Sequence, residues 1–274
     1  MIPAGEVAAI AARLVHAYDT ATSLPPIAAV TPGFDVAAAY AVLAAIESRR
    51  VGQGWQPVGR KIGFTNRTIW ERYGVYQPMA ARIWAHTLHF ARDGKATLAL
   101  TPFVRPRIEP EVVFKLAAPV PPTDDPRAIL AAVEWVAPGF EIVQSHFPDW
   151  KFTAADCTAA FGLHGALVVG EPLLLTAANR ADIAARLPAF ELTLRRGDAV
   201  VDRGVGANVL DSPALALAHL ARALAALPQL APLAAGEVIT TGTVTDAWPV
   251  AAGETWTADY GSLGVVGPAL TFVR

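Results

Sequence analysis

The chain has 274 residues, 53% hydrophobic and only 17% charged, against about 25% charged in an ordinary globular domain, and its formal charge is −2. No Lys/Arg cluster supplies a footprint for nucleic acid, and a single cysteine, Cys157, excludes an internal disulfide framework and a Cys-based zinc motif, as suits a reducing cytoplasm. The N-terminus lacks a signal-peptide pattern and no apolar run reaches the ~18 residues of a membrane span, so the composition predicts a soluble, cytoplasmic protein whose surplus apolar surface is covered in a homo-oligomer.

Val7, Ile10, Leu14 and Tyr18 recur at helical spacing and predict a helix over 5–19. Val36, Tyr40, Leu43 and Ile46 predict another over 35–50, with Asp35 near its start, after a Pro-rich crossing at 23–33. Beyond 53–57 the texture changes. Short β-type runs follow at 58–62, 87–90, 107–116, 135–145, 165–169, 189–195, 237–241 and 255–258, with turns such as Arg196-Gly-Asp198. One clear helix interrupts them over 212–226, where Asp211-Ser-Pro213 offers a cap and an early proline ahead of Leu215, Leu217, Leu220 and Leu224. Strands that do not alternate with helices argue against a doubly wound sheet. They predict an α+β fold in one domain: a mixed, partly closed β-sheet core over 58–274 and an N-terminal helical segment over 1–57.

Inside the apolar run 107–116, Glu109 and Glu111 lie two residues apart. Residues i and i+2 of a strand project from one face, about 6.5–7 Å apart, so both carboxylates can converge on one ion. Flanked by Val112, Val113 and Phe114 they would be desolvated and mutually repelled unless a cation or a shared proton compensates. Glu141, a lone acid between Phe140 and Ile142, is a third candidate. Three carboxylates without Cys or His match Mg²⁺ or Mn²⁺, whose octahedron would keep positions open for substrate oxygens and water. The competing reading pairs these acids with Arg105 or Arg107, or leaves them on a solvated edge strand, and Pro110 between them suggests an edge or a bulge.

Lys61 falls on the strand face opposite Val58 and Ile62, where the residues alone favour a solvated side chain. Beside a bound dication its ammonium would be disfavoured, which suits a proton shuttle. Lys151 poses the same choice, against a salt bridge to Asp149. The six histidines form no zinc-ligand spacing. Of these, His164, in Phe161-Gly-Leu-His-Gly165, precedes a strand where the backbone can approach a ligand, or else is a hydrogen-bonded histidine at a strand end. Cys157 reads as a small packed residue, and Gly204-Val-Gly206 lacks the third glycine of a dinucleotide loop. Neither a nucleophile elbow nor a Walker loop is present.

Taken together, Gly59-Arg-Lys-Ile-Gly-Phe-Thr65, Ile108-Glu-Pro-Glu-Val-Val-Phe114, Phe140-Glu-Ile-Val143, Asp149-Trp-Lys151, Gly206-Ala-Asn-Val-Leu-Asp-Ser-Pro213 and Gly236-Glu-Val-Ile-Thr-Thr-Gly-Thr243 resemble the 2-keto-4-pentenoate hydratase branch of the fumarylacetoacetate hydrolase superfamily. The motifs run in the expected order over nearly the whole chain. The resemblance implies Mg²⁺ or Mn²⁺ at Glu109, Glu111 and Glu141, and a 2-oxo acid or its enol as substrate. It also implies Lys61 as proton shuttle, with Lys151 a second candidate, and Thr243 at the substrate carboxylate. Such a hydratase adds water to a 2-hydroxy-dienoate or 2-oxo-enoate, in catabolism of aromatic or similar skeletons, to give a 4-hydroxy-2-oxo acid. A 2-oxo acid decarboxylase or an acylpyruvate-type C–C hydrolase would use the same metal enolate, and a catalytically degenerate partner subunit is the non-enzymatic alternative. The chain also departs from the pattern. Met79 stands where many relatives place an acid, and Ala159-Ala-Phe-Gly-Leu-His164 replaces Ala-Asp-Asn-Ala-Ser-Ser. Met79 and Phe161 are therefore expected in a more apolar pocket, and His164 is expected to take over acid/base or water-orienting work.

Overall fold

The structure, a computed structural model, describes residues 2–274. Helices α1 (Ala4–Thr20), α2 (Ile27–Val30) and α3 (Val36–Gly52) lead into strand β1 (Pro57–Gly63). A short helix α4 (Trp70–Tyr73) precedes β2 (Met79–Trp84), β3 (Leu88–Phe90), β4 (Lys95–Ala99) and the long β5 (Arg107–Leu116). Then α5 (Pro126–Ala131) leads to β6 (Val133–Val143), α6 (Ala154–Ala159) to β7 (His164–Val169) and β8 (Leu173–Leu174), and α7 (Arg180–Arg186) to the hairpin of β9 (Glu191–Arg196) and β10 (Ala199–Val205). Finally α8 (Pro213–Ala225) is followed by β11 (Val238–Thr243), β12 (Trp248–Pro249), β13 (Thr255–Asp259) and β14 (Ala269–Val273). The helix starts follow local chemistry: Asp35 accepts the Ala38 N–H at 2.8 Å, and Ser212 accepts the Ala214 N–H at 3.3 Å beside Pro213.

The architecture is the expected α+β one. A mixed sheet runs β2-β1-β11-β5-β6-β7-β3, with β12 pairing to β5 and β8 to β6, and a second sheet runs β10-β9-β13-β14-β4. The first sheet curls: Ile83 of β2 packs in one cluster with Leu167 and Val169 of β7, although four strands separate them in the sheet order. Its convex face, with Ile108, Val112, Phe114, Val136 and Phe140, joins α8 and the second sheet in the main core. Its concave face holds the acids. A smaller core joins α1 and α3 to α6 and Phe161.

Of the two readings of Pro110, an edge or a bulge, the structure removes the first. Pro110 does not mark an edge, because β5 is central, between β11 and β6. The ladder accommodates a residue without an N–H by a register shift in β11 between Thr240 and Thr243, where Gly242 has φ +95°. The accessible surface, 11221 Å², is close to the about 11,300 Å² expected for a compact monomer of 28.8 kDa. No described helix is long and apolar enough to cross a membrane.

Candidate active site

Glu109 and Glu111 follow the i, i+2 rule of β5, and antiparallel pairing sets Glu109 directly opposite Glu141 on β6. Each of the three acids offers an oxygen within 4.8 Å of the others. Glu111 and Glu141 are fully buried and Glu109 is half-buried. The bulge in β11 turns the Gly242 N–H out of the ladder and onto Glu111 Oε2 at 2.6 Å, while Glu111 Oε1 is buried without a hydrogen-bond partner. From the turn just after β13, the Tyr260 hydroxyl lies 2.9 Å from the carbonyls of both Glu111 and Gly139, tying the two strands together.

Lys61 is not solvated, as its residues alone favoured. It is 3% exposed, because curling of the sheet closes its face of β1, and Nζ stands 3.0 Å from Glu141 Oε2. A Cβ at Gly162 would sit 2.6 Å from Ala81 Cβ and 3.4 Å from Lys61 Cδ, so glycine there lets the turn close on the lysine stem. The other Glu141 oxygen, Oε1, accepts from His164 Nδ1 at 2.8 Å, and His164 Nε2 meets Thr87 Oγ1 at 2.9 Å.

The electrostatics divide the acids. Burial raises the Glu141 carboxyl, but the Lys61 ammonium, His164 and Glu111 together outweigh it and hold it at about 2. Burial and the Glu141 charge push Glu109 up to about 7, against the pull of Lys61 and Arg107. Burial, Glu141 and Glu109 push Glu111 well above the usual carboxylate range. Burial alone would lower Lys61; the charges of Glu141, Glu109 and Glu111 raise it instead. Arg105 does not neutralise the cluster, since it donates to the carbonyls of Ser145 and Phe147 and to Ser23 Oγ.

Beside Lys61 and Glu109 opens a pocket that is partly open to solvent. Met79 and Thr243 line it. Phe161 and His164 are not among the lining residues: Phe161 packs in the helical core with its ring centroid 4.4 Å from that of Tyr18, and His164 stands behind Glu141. Lys151 is exposed, and the described residues show no ion pair between it and Asp149. Its neighbour Trp150 lines the cavity instead, with Phe64, Asn66, Ile69, Phe152 and Leu163. The sequence reading missed these walls, although Trp150 and Phe152 flank Lys151 and Phe64 closes the Lys61 motif. Phe64, Trp150 and Leu163 have φ of +55°, +57° and +63°. Such strain in non-glycine residues costs on the order of 1–3 kcal/mol each and concentrates where function holds it in place.

The family described as fumarylacetoacetate (FAA) hydrolase C-terminal matches residues 76–269. The chain is 31% identical over 244 residues to 2-hydroxyhexa-2,4-dienoate hydratase of Comamonas testosteroni, covering 88% of this chain and 89% of that protein. It is 30% identical over 267 residues to 2-keto-4-pentenoate hydratase of Burkholderia vietnamiensis, covering 97% of each. Its fold matches that of 4-oxalocrotonate decarboxylase from Pseudomonas putida G7, solved with magnesium and adipate, at a TM-score of 0.88 and 24% identity over 100% of this chain and 99% of that one.

Proposed function

This chain belongs to the fumarylacetoacetate hydrolase family, and we propose that within it the protein is a divalent-metal-dependent hydratase that adds water to a 2-hydroxy-dienoate or 2-oxo-enoate, giving a 4-hydroxy-2-oxo acid. The observation that carries the proposal is the trio of converging carboxylates beside the cavity. The donor set fits a hard cation: it is all oxygen, and Glu111 Oε1 is buried with no hydrogen-bond partner. Glu109, Glu111 and Glu141 would hold Mg²⁺ or Mn²⁺, which when bound supplies Lewis-acid polarisation of a 2-oxo group.

The chain's own groups divide the remaining work. Lys61 Nζ holds the proton exchanged with the enol, and it gives that proton up more readily once the three carboxylates no longer pull on it. The hydroxyl of Thr243, which here donates to Thr245 O at 3.0 Å, would turn to the substrate carboxylate. Met79 and the aromatic walls exclude bulk water from the reacting carbons. His164 positions Glu141 rather than touching substrate. Lys151 is a reserve candidate that reaches the cavity only if its loop turns.

In this proposal residues 1–274 act as one catalytic unit, with the helical segment 1–57 packed on the core 58–274. The protein would act in the cytoplasm as a homo-oligomer whose contacts cover exposed apolar side chains such as Phe90, Leu174 and Val266, and light scattering would then report a multiple of 28.8 kDa. The activity test incubates the Mg²⁺-loaded protein with a panel of 2-oxo-enoates and acylpyruvates and reads product masses. A gain of one water supports the hydratase. Release of CO₂ would replace it with a decarboxylase, release of a fragment with a C–C hydrolase, and metal binding without turnover with a degenerate partner subunit.

A further inference from the structure

The part of the cavity away from the carboxylates offers no cation to neutralise a second acid group. Among the described lining residues Lys61 is the only cation, and its ammonium is already 3.0 Å from Glu141. The uncharged polar side chains away from Thr243 supply no counter-charge and are already engaged: Thr65 Oγ1 donates to Thr241 O at 2.8 Å, and Asn66 Nδ2 gives one of its two N–H groups to Thr245 O while its Oδ1 accepts from Thr68. Arg107 shares the strand face of Glu109. Its guanidinium lies 4.0 Å from the centroid of the Trp150 ring, and it is not among the lining residues. What remains is apolar and largely aromatic: Phe64, Ile69, Val143, Trp150, Phe152 and Leu163.

We propose that this site selects 2-oxo acids whose far end is an alkyl or aryl group and rejects those that end in a second carboxylate. The inference rests on the 2-oxo acid reading above and adds the chemistry of the tail. A terminal carboxylate would leave water for a wall that cannot pair with it, whereas an alkyl or aryl tail gains by the same transfer. The rings of Phe64, Trp150 and Phe152 favour a flat or aromatic tail in particular.

The test is titration calorimetry on the full chain loaded with Mn²⁺, using oxalate, 2-oxohexanoate and 2-oxoadipate. The last two have the same length and differ in a terminal methyl against a terminal carboxylate. At least tenfold tighter binding of 2-oxohexanoate is expected, and Ala247→Arg, at a half-buried lining position, should move that ratio toward 2-oxoadipate. If oxalate binds but 2-oxoadipate equals or exceeds 2-oxohexanoate, the tail inference is overturned while the 2-oxo acid reading stands. An unchanged ratio in Ala247→Arg overturns the claim that a missing counter-charge sets the preference. If none of the three binds, the 2-oxo acid reading falls and this inference with it.

Discussion

His164 Nδ1 stands 2.8 Å from Glu141 Oε1, so the imidazole grips one carboxylate oxygen while Lys61 grips the other. Thr87 holds the far side of the ring, and the chain from Thr87 through His164 fixes where Glu141 points. His164→Ala should therefore weaken Mn²⁺ binding about 10–100-fold, and His164→Gln, which can still donate, should recover part of the loss. Calorimetric titration with Mn²⁺ checks this. Equal affinities in the native chain and His164→Ala would end the positioning role.

The carboxyls predict how pH acts on the metal-free protein. Glu109, at about 7, and Glu111 have folded values above the ordinary 4.5. Their contribution to stability is complete below about 4.5 and is lost as pH rises through about 7. Glu141, at about 2, works in the other direction: its contribution is present above 4.5 and is lost as pH falls toward 2. The melting temperature without metal should thus decline from about pH 5 to about pH 8. The rise produced by Mg²⁺ should grow over the same interval, because bound carboxylates must be deprotonated. Thermal melts at both pH values with and without Mg²⁺ decide it, and a Mg²⁺ effect of constant size would contradict the assignment.

Glu111→Gln replaces a carboxyl that the metal-free fold holds protonated, against burial and its acidic neighbours, by an amide that is neutral at every pH and whose oxygen can still accept the Gly242 N–H. Without metal its melting temperature at neutral pH should exceed that of the native chain, and the Mg²⁺-induced rise should vanish. A variant that is less stable without metal would show that repulsion does not dominate this site.

Gly242→Ala should lose stability and metal affinity together. With φ +95° the position is left-handed, and an added Cβ would meet Thr65 Oγ1 at 1.8 Å. Strain and clash together should cost more than about 2 kcal/mol in urea unfolding. Retention of native stability would mean that the bulge does not need glycine.

Phe161→Ala and Phe152→Ala separate the fold from the pocket. Phe161, buried against Tyr18 in the helical core, should cost about 3–5 kcal/mol on truncation and leave the preference among substrate tails unchanged. Phe152, half-buried on the cavity wall, should cost less stability and raise KM for apolar tails. Unfolding curves and a KM series over tail length distinguish the two.

Much of this was legible where local periodicity is strict. The strand 107–116 could be placed to the residue because its acids and its apolar residues alternate, and α1, α3 and α8 followed from apolar spacing and their starts. Strands β2, β4, β10 and β14 were passed over, as were the two-residue β8 and β12. Met79-Ala-Ala-Arg-Ile-Trp84, for example, holds a single β-branched residue and owes its extended form to pairing with β1. The walls of the cavity were missed for a related reason: Phe64, Trp150 and Leu163 reach it from left-handed turns that spacing does not announce.

By itself the sequence determined the residue types and the face they share: Glu109 and Glu111 two apart on a strand, Glu141 alone in another apolar run, Lys61 opposite Val58 and Ile62. Only the tertiary structure decided what those faces meet. Antiparallel register put Glu141 across from Glu109, and curling of the sheet closed Lys61 over both. The turn at 161–163, with φ positive at all three residues, seated Phe161 in the helical core and Leu163 in the cavity. Periodicity follows from bonds between near neighbours, whereas strand order and curvature follow from contacts between residues distant in the chain, and those contacts form the site.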